Sequence, residues 1–360
     1  MANRREFVAA ALGLTATVLT PQLVSANGVS AKRVSTGKAP YQIIERILPK
    51  RLKKGDTIGL IAPGYSVKPE VLADAKKALR LMGFKPFHTD RILGHHGYFS
   101  NTDEERATDL NEMFANPEID GILCARGGYG CTRILSLIDY EAIKTHPKVF
   151  IGFSDVTALL AAIQIETGLI GFHGPVGSTL NDPYSMKRLQ DVVIHPKDNL
   201  TIENVELTDS TLKADPEYER YEITKGISTG KLVGGSLTLI NALIGTPHEI
   251  DFTNNIVCIE DVEEAPYRID RMLTQLIEGK TFTKAAGIIF GVCAGCDSST
   301  ERDSFTLKEV ILDRITPLNI PAVYGMSFGH VENNFTFPIG IQATLDTQKM
   351  TLQLLEQAVV

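Results

Sequence analysis

Between residues 56 and 168 the chain alternates between two hydrophobic periods. Short apolar runs, "DTIGLIAPG", "IDGILCARGGYG" and "KVFIGFSD", stop at glycine, proline or serine and predict buried strands. The segments between them carry apolar residues at helical spacing. "SVKPEVLADAKKALRLMG" runs from a Ser66 cap to Gly83, and "TDEERATDLNEMFAN" opens with a capping box, Thr102 with Glu105. "CTRILSLIDYEAI" and "VTALLAAIQIETG" continue the scheme. Repeated β–α units of this length predict a doubly wound, mostly parallel sheet over residues 50–178. In such sheets ligands collect at the carboxyl ends of the strands, where this chain carries "APGYS", "ARGGYG" and "GFSD".

The periods fade over residues 179–229, where "NDPYSMKRLQ" and "KADPEYERYEI" are rich in Asp, Pro, Lys, Glu and Tyr. This stretch is expected to be a connection between domains. From 230 to 350 the runs "KLVGGSLTLINALIG", "NNIVCIEDVEEAPYRIDRMLTQLIEG", "AAGIIFGVCAG", "IPAVYGMSFGH", "GIQATLD" and "KMTLQLLEQ" predict a smaller mixed α/β domain with strand-rich, barrel-like character.

Composition narrows the class. A hydrophobic content of 43% against 22% charge, over 360 residues, describes a globular chain with core enough for two domains. A net charge of -7 without any Lys/Arg-rich block argues against nucleic acid as a partner. Residues 1–30 read as an export signal: Arg4 and Arg5 precede an apolar stretch from Phe7 to Leu19, and the small-residue site "VSA" ends at Ala26. The paired arginines followed by Phe7 match a twin-arginine signal, so the chain is expected in the periplasm, with no membrane span once the signal is removed. Removal of residues 1–26 takes away Arg4, Arg5 and Glu6, moving the net charge from -7 to -8. Five cysteines at 124, 131, 258, 293 and 296 are an odd number scattered through apolar sequence. They make a poor disulfide framework, and "CAGC" lacks a second ligand pair for zinc, so packed core thiols are expected and no metal or organic cofactor.

Ser154, between a strand and a helix, sits where a tight turn exposes a hydroxyl to the positive end of a helix. The G-x-S-x-G elbow is absent, and a serine at this position is equally an N-cap. The glycine turn "ARGGYG" offers backbone N–H groups to an anion or a tetrahedral oxyanion, or is simply a tight turn. Neither a phosphate-binding P-loop nor a dinucleotide fingerprint is present. A serine nucleophile needs a base and an orienting acid. Of eight histidines, His330 in "MSFGHVENN" follows an apolar strand run, whereas His95 and His96 lie in a Gly-rich loop. Glu260 is the first polar residue after Ile256–Ile259, with Asp261, Glu263 and Glu264 on the turn beyond. Taken one by one, each of these is also a plain cap or ion-pair position.

Taken together, "RGGYG", "IGFSDVTALL", "GFHGP", "GKLVGGSLTLINALIGTP", "CIEDVEEAPYRIDRML", "AGIIFG" and "IPAVYGMSFGH" resemble the LD-carboxypeptidases of the S66 serine-peptidase family, over about residues 55–348. This family includes muramoyl-tetrapeptide carboxypeptidases and microcin C self-immunity peptidases. The resemblance implies a Ser–Glu–His triad at Ser154, Glu260 and His330, and an oxyanion hole from the backbone N–H groups of Gly128 and Asp155. It implies cleavage, without metal or cofactor, of the amide between a diamino acid and a terminal D-alanine of a murein peptide. The free carboxylate of that substrate calls for a cation, for which Arg126 is the candidate. The reading admits a homodimer. Within that reading the alternative is an immunity-type amide hydrolase acting on an acyl-sulfamoyl nucleotide. Two rival classes stand outside it: a periplasmic binding module without catalysis, and a Rossmann-like oxidoreductase, which would need a nucleotide site.

Overall fold

The computed structural model describes residues 45–208, 216–297 and 303–360. The export signal expected over residues 1–30 lies outside the described residues. Two sheets organise the rest, and residues 44–360 cluster as one compact unit.

The first sheet grows from the β–α units. Strands β1 (Thr57–Ile61), β2 (Lys85–Phe87), β3 (Gly121–Cys124), β4 (Val149–Gly152) and β5 (Phe172–His173) lie parallel in the order 2-1-3-4-5. The order reverses between β1 and β3, so the loops that follow these two strands diverge to opposite faces and leave a crevice at their carboxyl ends. The covering helices are α1 (Pro69–Leu81), α2 (Asp103–Ala115), α3 (Tyr140–Thr145), α4 (Thr157–Thr167) and α5 (Pro183–Val193). The capping box of Thr102 and Glu105 forms at the start of α2. Helix α1 begins later than Ser66, because Pro69 suits the first helical position and Lys68 is extended. The expected single helix over 131–143 divides into a 3-10 turn, Cys131–Leu137, and α3; the Asp139 side chain accepts from the Ala142 N–H and starts the second segment afresh.

The second sheet has eight strands. β6 (Leu200–Ile202), β7 (Tyr221–Thr224), β8 (Ile227–Ser236), β9 (Ile256–Glu260), β10 (Gly287–Phe290), β11 (Ala322–Tyr324), β13 (Gln342–Asp346) and β14 (Thr351–Leu354) run in the order 6-14-13-8-9-10-11-7. Its centre, β8 to β11, is parallel, with antiparallel strands on both flanks. Helices α6 (Leu237–Ala242), α7 (Pro266–Ile277) and α8 (Leu307–Ile315) accompany it. Residues 179–229, read from sequence as a connection, thus carry α5 and both edge strands of this sheet, β6 and β7. Edge strands face water on one side and need little apolar period, which is why composition alone reads them as linker. The chain also returns to the first sheet: β12 (Phe337–Pro338) pairs antiparallel with β5.

All five cysteines are buried free thiols. Burial pushes the thiols of Cys124 and Cys258 upward, away from the reactive thiolate form. Among the described residues no helix is long and apolar enough to cross a membrane.

Candidate active site

Strand β4 delivers Ser154 to the carboxyl edge of the first sheet, against the turn that follows β3. Its φ of 63° is left-handed, a conformation a non-glycine side chain adopts at a cost, and it opens a 3-10 turn, Ser154–Val156, that leads into α4. Ser154 makes no capping bond; the N-cap of α4 is Val156. The strained turn aims Oγ away from the helix instead, 2.9 Å from His330 Nε2.

The partners come from the second sheet. Glu260 ends β9 and is wholly buried, and its Oε2 lies 2.8 Å from His330 Nδ1. A carboxylate only accepts, so Nδ1 carries the proton, Nε2 is free, and the Ser154 hydroxyl donates to it. His330 stands just after Gly329, at φ 116°, where an added Cβ would meet the Val292 carbonyl at 2.8 Å and Glu260 Oε2 at 3.2 Å. Only glycine lets the turn come this close to the acid.

One contact fixes the register between the sheets. The Thr157 Oγ1, one helical residue past the elbow, accepts the N–H of Ser236 at 3.1 Å, and Ser236 is the β8 neighbour of Glu260. Serine and acid are therefore held to each other through a short, buried path.

Electrostatics suit base catalysis. Burial alone would push the Glu260 carboxyl upward, but the neighbouring His330 and His173 hold it down, to about 2. Burial likewise disfavours the charged form of His330, yet the Glu260 anion outweighs it and the imidazole is raised above its ordinary value. Asp261, next in sequence, is pushed up to about 6 by burial and by the charge on Glu260. It accepts from the Thr238 N–H and hydroxyl and from the Val262 N–H, and takes no part in the chain of three. Glu264, half-buried, pairs with the exposed Arg268 in the first turn of α7.

The glycine turn after β3 lies against the serine: a Cβ on Gly127 would stand 2.9 Å from Ser154 Cβ and 3.1 Å from Oγ. Gly128 follows with φ 107°, and among the described residues its N–H donates no hydrogen bond. Asp155 contributes its backbone at the start of a helical turn, where N–H groups lack acceptors within the turn. Its buried carboxylate reaches back to accept the Cys131 N–H at 2.7 Å, pinning the glycine turn beside the serine. Arg126 extends along this rim with its guanidinium over the Tyr65 ring, 5.4 Å from the centroid, and makes no ion pair among the described residues. Exposed Tyr98 and Tyr129 stand beside Tyr65, with ring centroids 5.7 Å apart in each pairing with Tyr98.

Two residues of this neighbourhood escaped the sequence reading. Arg106 is fully buried and joins the loops after β1 and β3 by donating to the Pro63 and Gly130 carbonyls while pairing with Asp103. Its signal was a charge on the apolar face of α2, in phase with Leu110 and Met113. His173, in "GFHGP", is fully buried near Glu260, and its signal was a histidine closing an apolar strand run.

The family models for the LD-carboxypeptidase N-terminal and C-terminal domains match residues 58–174 and 229–345. The chain is 38% identical over 306 residues to a probable murein peptide carboxypeptidase of Bacillus subtilis, covering 84% of this chain and 92% of that one. This chain belongs to the LD-carboxypeptidase family. It is accordingly an enzyme of the serine-peptidase class, and the binding-module alternative falls away. Its fold is shared with a muramoyltetrapeptide carboxypeptidase from Oxalobacter formigenes (TM-score 0.70, 27% identity, 83% of this chain and 97% of that one). It is shared as well with an MccF-like protein from Bacillus anthracis (TM-score 0.75, 29% identity, 86% of this chain and all of that one).

Proposed function

We propose that this LD-carboxypeptidase hydrolyses the amide between a diamino acid and the terminal D-alanine of murein tetrapeptides, using Ser154 as nucleophile. The observation that carries the reading is the continuous hydrogen-bonded chain Ser154–His330–Glu260, drawn from both sheets into one crevice. Ser154 Oγ attacks the carbonyl carbon as its proton passes to His330 Nε2, and Glu260 stabilises the imidazolium that forms. The N–H groups of Gly128 and Asp155 receive the developing oxyanion. Collapse of the intermediate returns the proton from Nε2 to the departing amine of D-alanine. Water, deprotonated by the same histidine, then releases the acyl group from Ser154. Arg126 at the rim is the cation for the substrate's terminal carboxylate.

The test is incubation of the purified protein with murein tetrapeptide, with tripeptide and D-alanine expected by mass spectrometry. Ser154→Ala should abolish turnover and fluorophosphonate labelling without unfolding the protein. Residual turnover above about a tenth of wild type would rule Ser154 out, since loss of a nucleophile costs several orders of magnitude.

A second specificity has one observation in its favour. The exposed rings of Tyr98 and Tyr129 beside the glycine turn offer a face on which a nucleobase stacks, as an acyl-sulfamoyl nucleotide would require. Faster hydrolysis of that nucleotide than of tetrapeptide would reverse the assignment.

We also propose export by the twin-arginine route, on the strength of Arg4, Arg5, Phe7 and the site ending at Ala26. N-terminal sequencing of periplasmic protein should begin at Asn27; an intact Met1 in the cytoplasm would refute it.

A further inference from the structure

The Ser154–His330–Glu260 chain uses one oxygen of Glu260 and leaves the other, Oε1, buried with no hydrogen-bond partner among the described residues. A buried carboxylate oxygen in that state is costly unless something of opposite polarity faces it. What faces it is His173, whose Nε2 lies 3.9 Å from Oε1 and whose two ring nitrogens also lack hydrogen-bond partners among the described residues. The separation is too long for a direct hydrogen bond, so the interaction is one of field and orientation. In this low-dielectric setting such an interaction is strong.

The ring is held there by its surroundings. Strand β5 sets His173 beside Gly152 of β4 on one side and Phe337 of β12 on the other. The imidazole stacks on Phe337 at 4.5 Å and 17°, meets Phe328 edge-on at 5.9 Å, and has Phe153 at 5.8 Å. None of these neighbours carries charge. The titratable groups about it are Glu260 and, through Glu260, His330 and Asp261.

We propose that His173 is a positioning residue for the reaction: its Nε2–H points at Glu260 Oε1 and holds the carboxylate, ionised, in the orientation that serves His330. The inference rests on the peptidase reading of Ser154, His330 and Glu260. A neutral imidazole has one N–H to place, and an acceptor-only carboxylate selects Nε2 for it. When His330 is protonated, the Glu260 anion has a cation beside it. When His330 is neutral and ready to act as base, the anion depends on His173 alone for its second oxygen. Removing the His173 N–H therefore penalises the neutral, active form more than the protonated one. The acid limb of the pH–rate profile moves to higher pH.

His173→Phe keeps the stacked ring and deletes the N–H; His173→Gln keeps a donor at the Nε2 position. With murein tetrapeptide, His173→Phe is expected to lower kcat by about tenfold with KM little changed, and to raise the acid limb by about half a pH unit. His173→Gln should restore the wild-type limb. A His173→Phe enzyme with wild-type kcat and limb overturns the proposal. So do two variants equally impaired with the limb unmoved, which is what mere packing predicts. Should His173→Phe fail to fold, 15N spectra of histidine-labelled wild type decide: Nε2 of His173 protonated is expected, and Nε2 bare overturns the inference. The rate of fluorophosphonate labelling across pH separates the two readings. If wild type labels but ignores tetrapeptide, the substrate assignment fails while the effect of His173 on labelling is still read. If wild type does not label at all, the nucleophile assignment fails and the 15N result alone judges His173.

Discussion

Ser154 sits in a backbone conformation that glycine would adopt at less cost, and Glu260 is a carboxylate stripped of water. Both are local penalties carried by the surrounding fold, and both serve the same histidine. The Glu260 anion is what raises His330; burial, acting alone, lowers it. With His330 as the proposed base, which works only when neutral, wild-type kcat/KM should therefore rise with pH through a limb lying above the ordinary histidine value. Glu260→Gln removes the anion and leaves the burial. The expected result is a limb displaced to lower pH and a kcat reduced by roughly 10³–10⁴, with a smaller change in KM. This shift is opposite in sign to that of His173→Phe, where the anion remains and loses support. Glu264→Gln, on the exposed Arg268 pair, should leave kcat near wild type. A large kcat loss at Glu264 with Glu260→Gln active would mean that the acid had been misassigned. At this scale the sequence was most informative at strand ends: Ser154, Glu260 and His330 each follow an apolar run. His173 also closes one, but its strand has two residues and one of its two neighbours, β12, comes from the far end of the chain, so the run alone did not single it out.

Elements place these residues by close backbone approach. The turn after β3 touches the serine through Gly127, whose missing side chain leaves the space around Oγ open. Gly127→Ala should put a methyl within van der Waals overlap of Ser154 Cβ. The expected stability cost is about 1–3 kcal/mol, the usual range for overpacking. Fluorophosphonate labelling of Ser154 should slow by at least about tenfold, because the turn must move off the serine and takes the Gly128 N–H with it. Labelling at the wild-type rate would show that this turn does not shape the site. The β–α alternation and the capping box of α2 were readable because they depend on residues within a few positions of one another. The break of 131–143 into a 3-10 turn and α3 was hidden by continuous apolar spacing. It turns on the single Asp139 cap. Strands β6 and β7 were hidden for a different reason: as edge strands they carry little apolar period, and only their pairing with β14 and β11, more than 90 residues away, marks them as strands.

Across the whole molecule, the two halves read from sequence are sewn together at several points. Strand β12, from the C-terminal half, closes the edge of the first sheet against β5, and the Ile339 N–H donates to the Gly171 carbonyl. Ser185 of α5 donates its hydroxyl to the Glu332 carbonyl and accepts the Asn334 N–H, just beyond His330. Val360 exchanges backbone hydrogen bonds with Pro49 and Arg51. Of these contacts, those of β12 and Ser185 lie beside His173 and His330, and the Thr157–Ser236 bond ties the start of α4 to the β8 neighbour of Glu260. A chain so connected should unfold as one cooperative unit. Loss of far-UV circular dichroism and loss of labelling at Ser154 are expected at the same denaturant concentration. A fragment of residues 45–225 retains all the β–α units of the first sheet but lacks β12, leaving the Phe172–His173 edge and the faces of Phe153 and Phe172 uncovered. We expect it to show no cooperative transition of its own, because exposed apolar edge of that kind is recovered only by pairing or aggregation. A sharp, reversible melt of the fragment would mean that the first sheet is an independent domain. The alignment of Ser154 with Glu260 and His330 would then depend on a hinge between two stable bodies, and substitutions at Thr157 or Ser236 would change KM and kcat together without altering either melting transition.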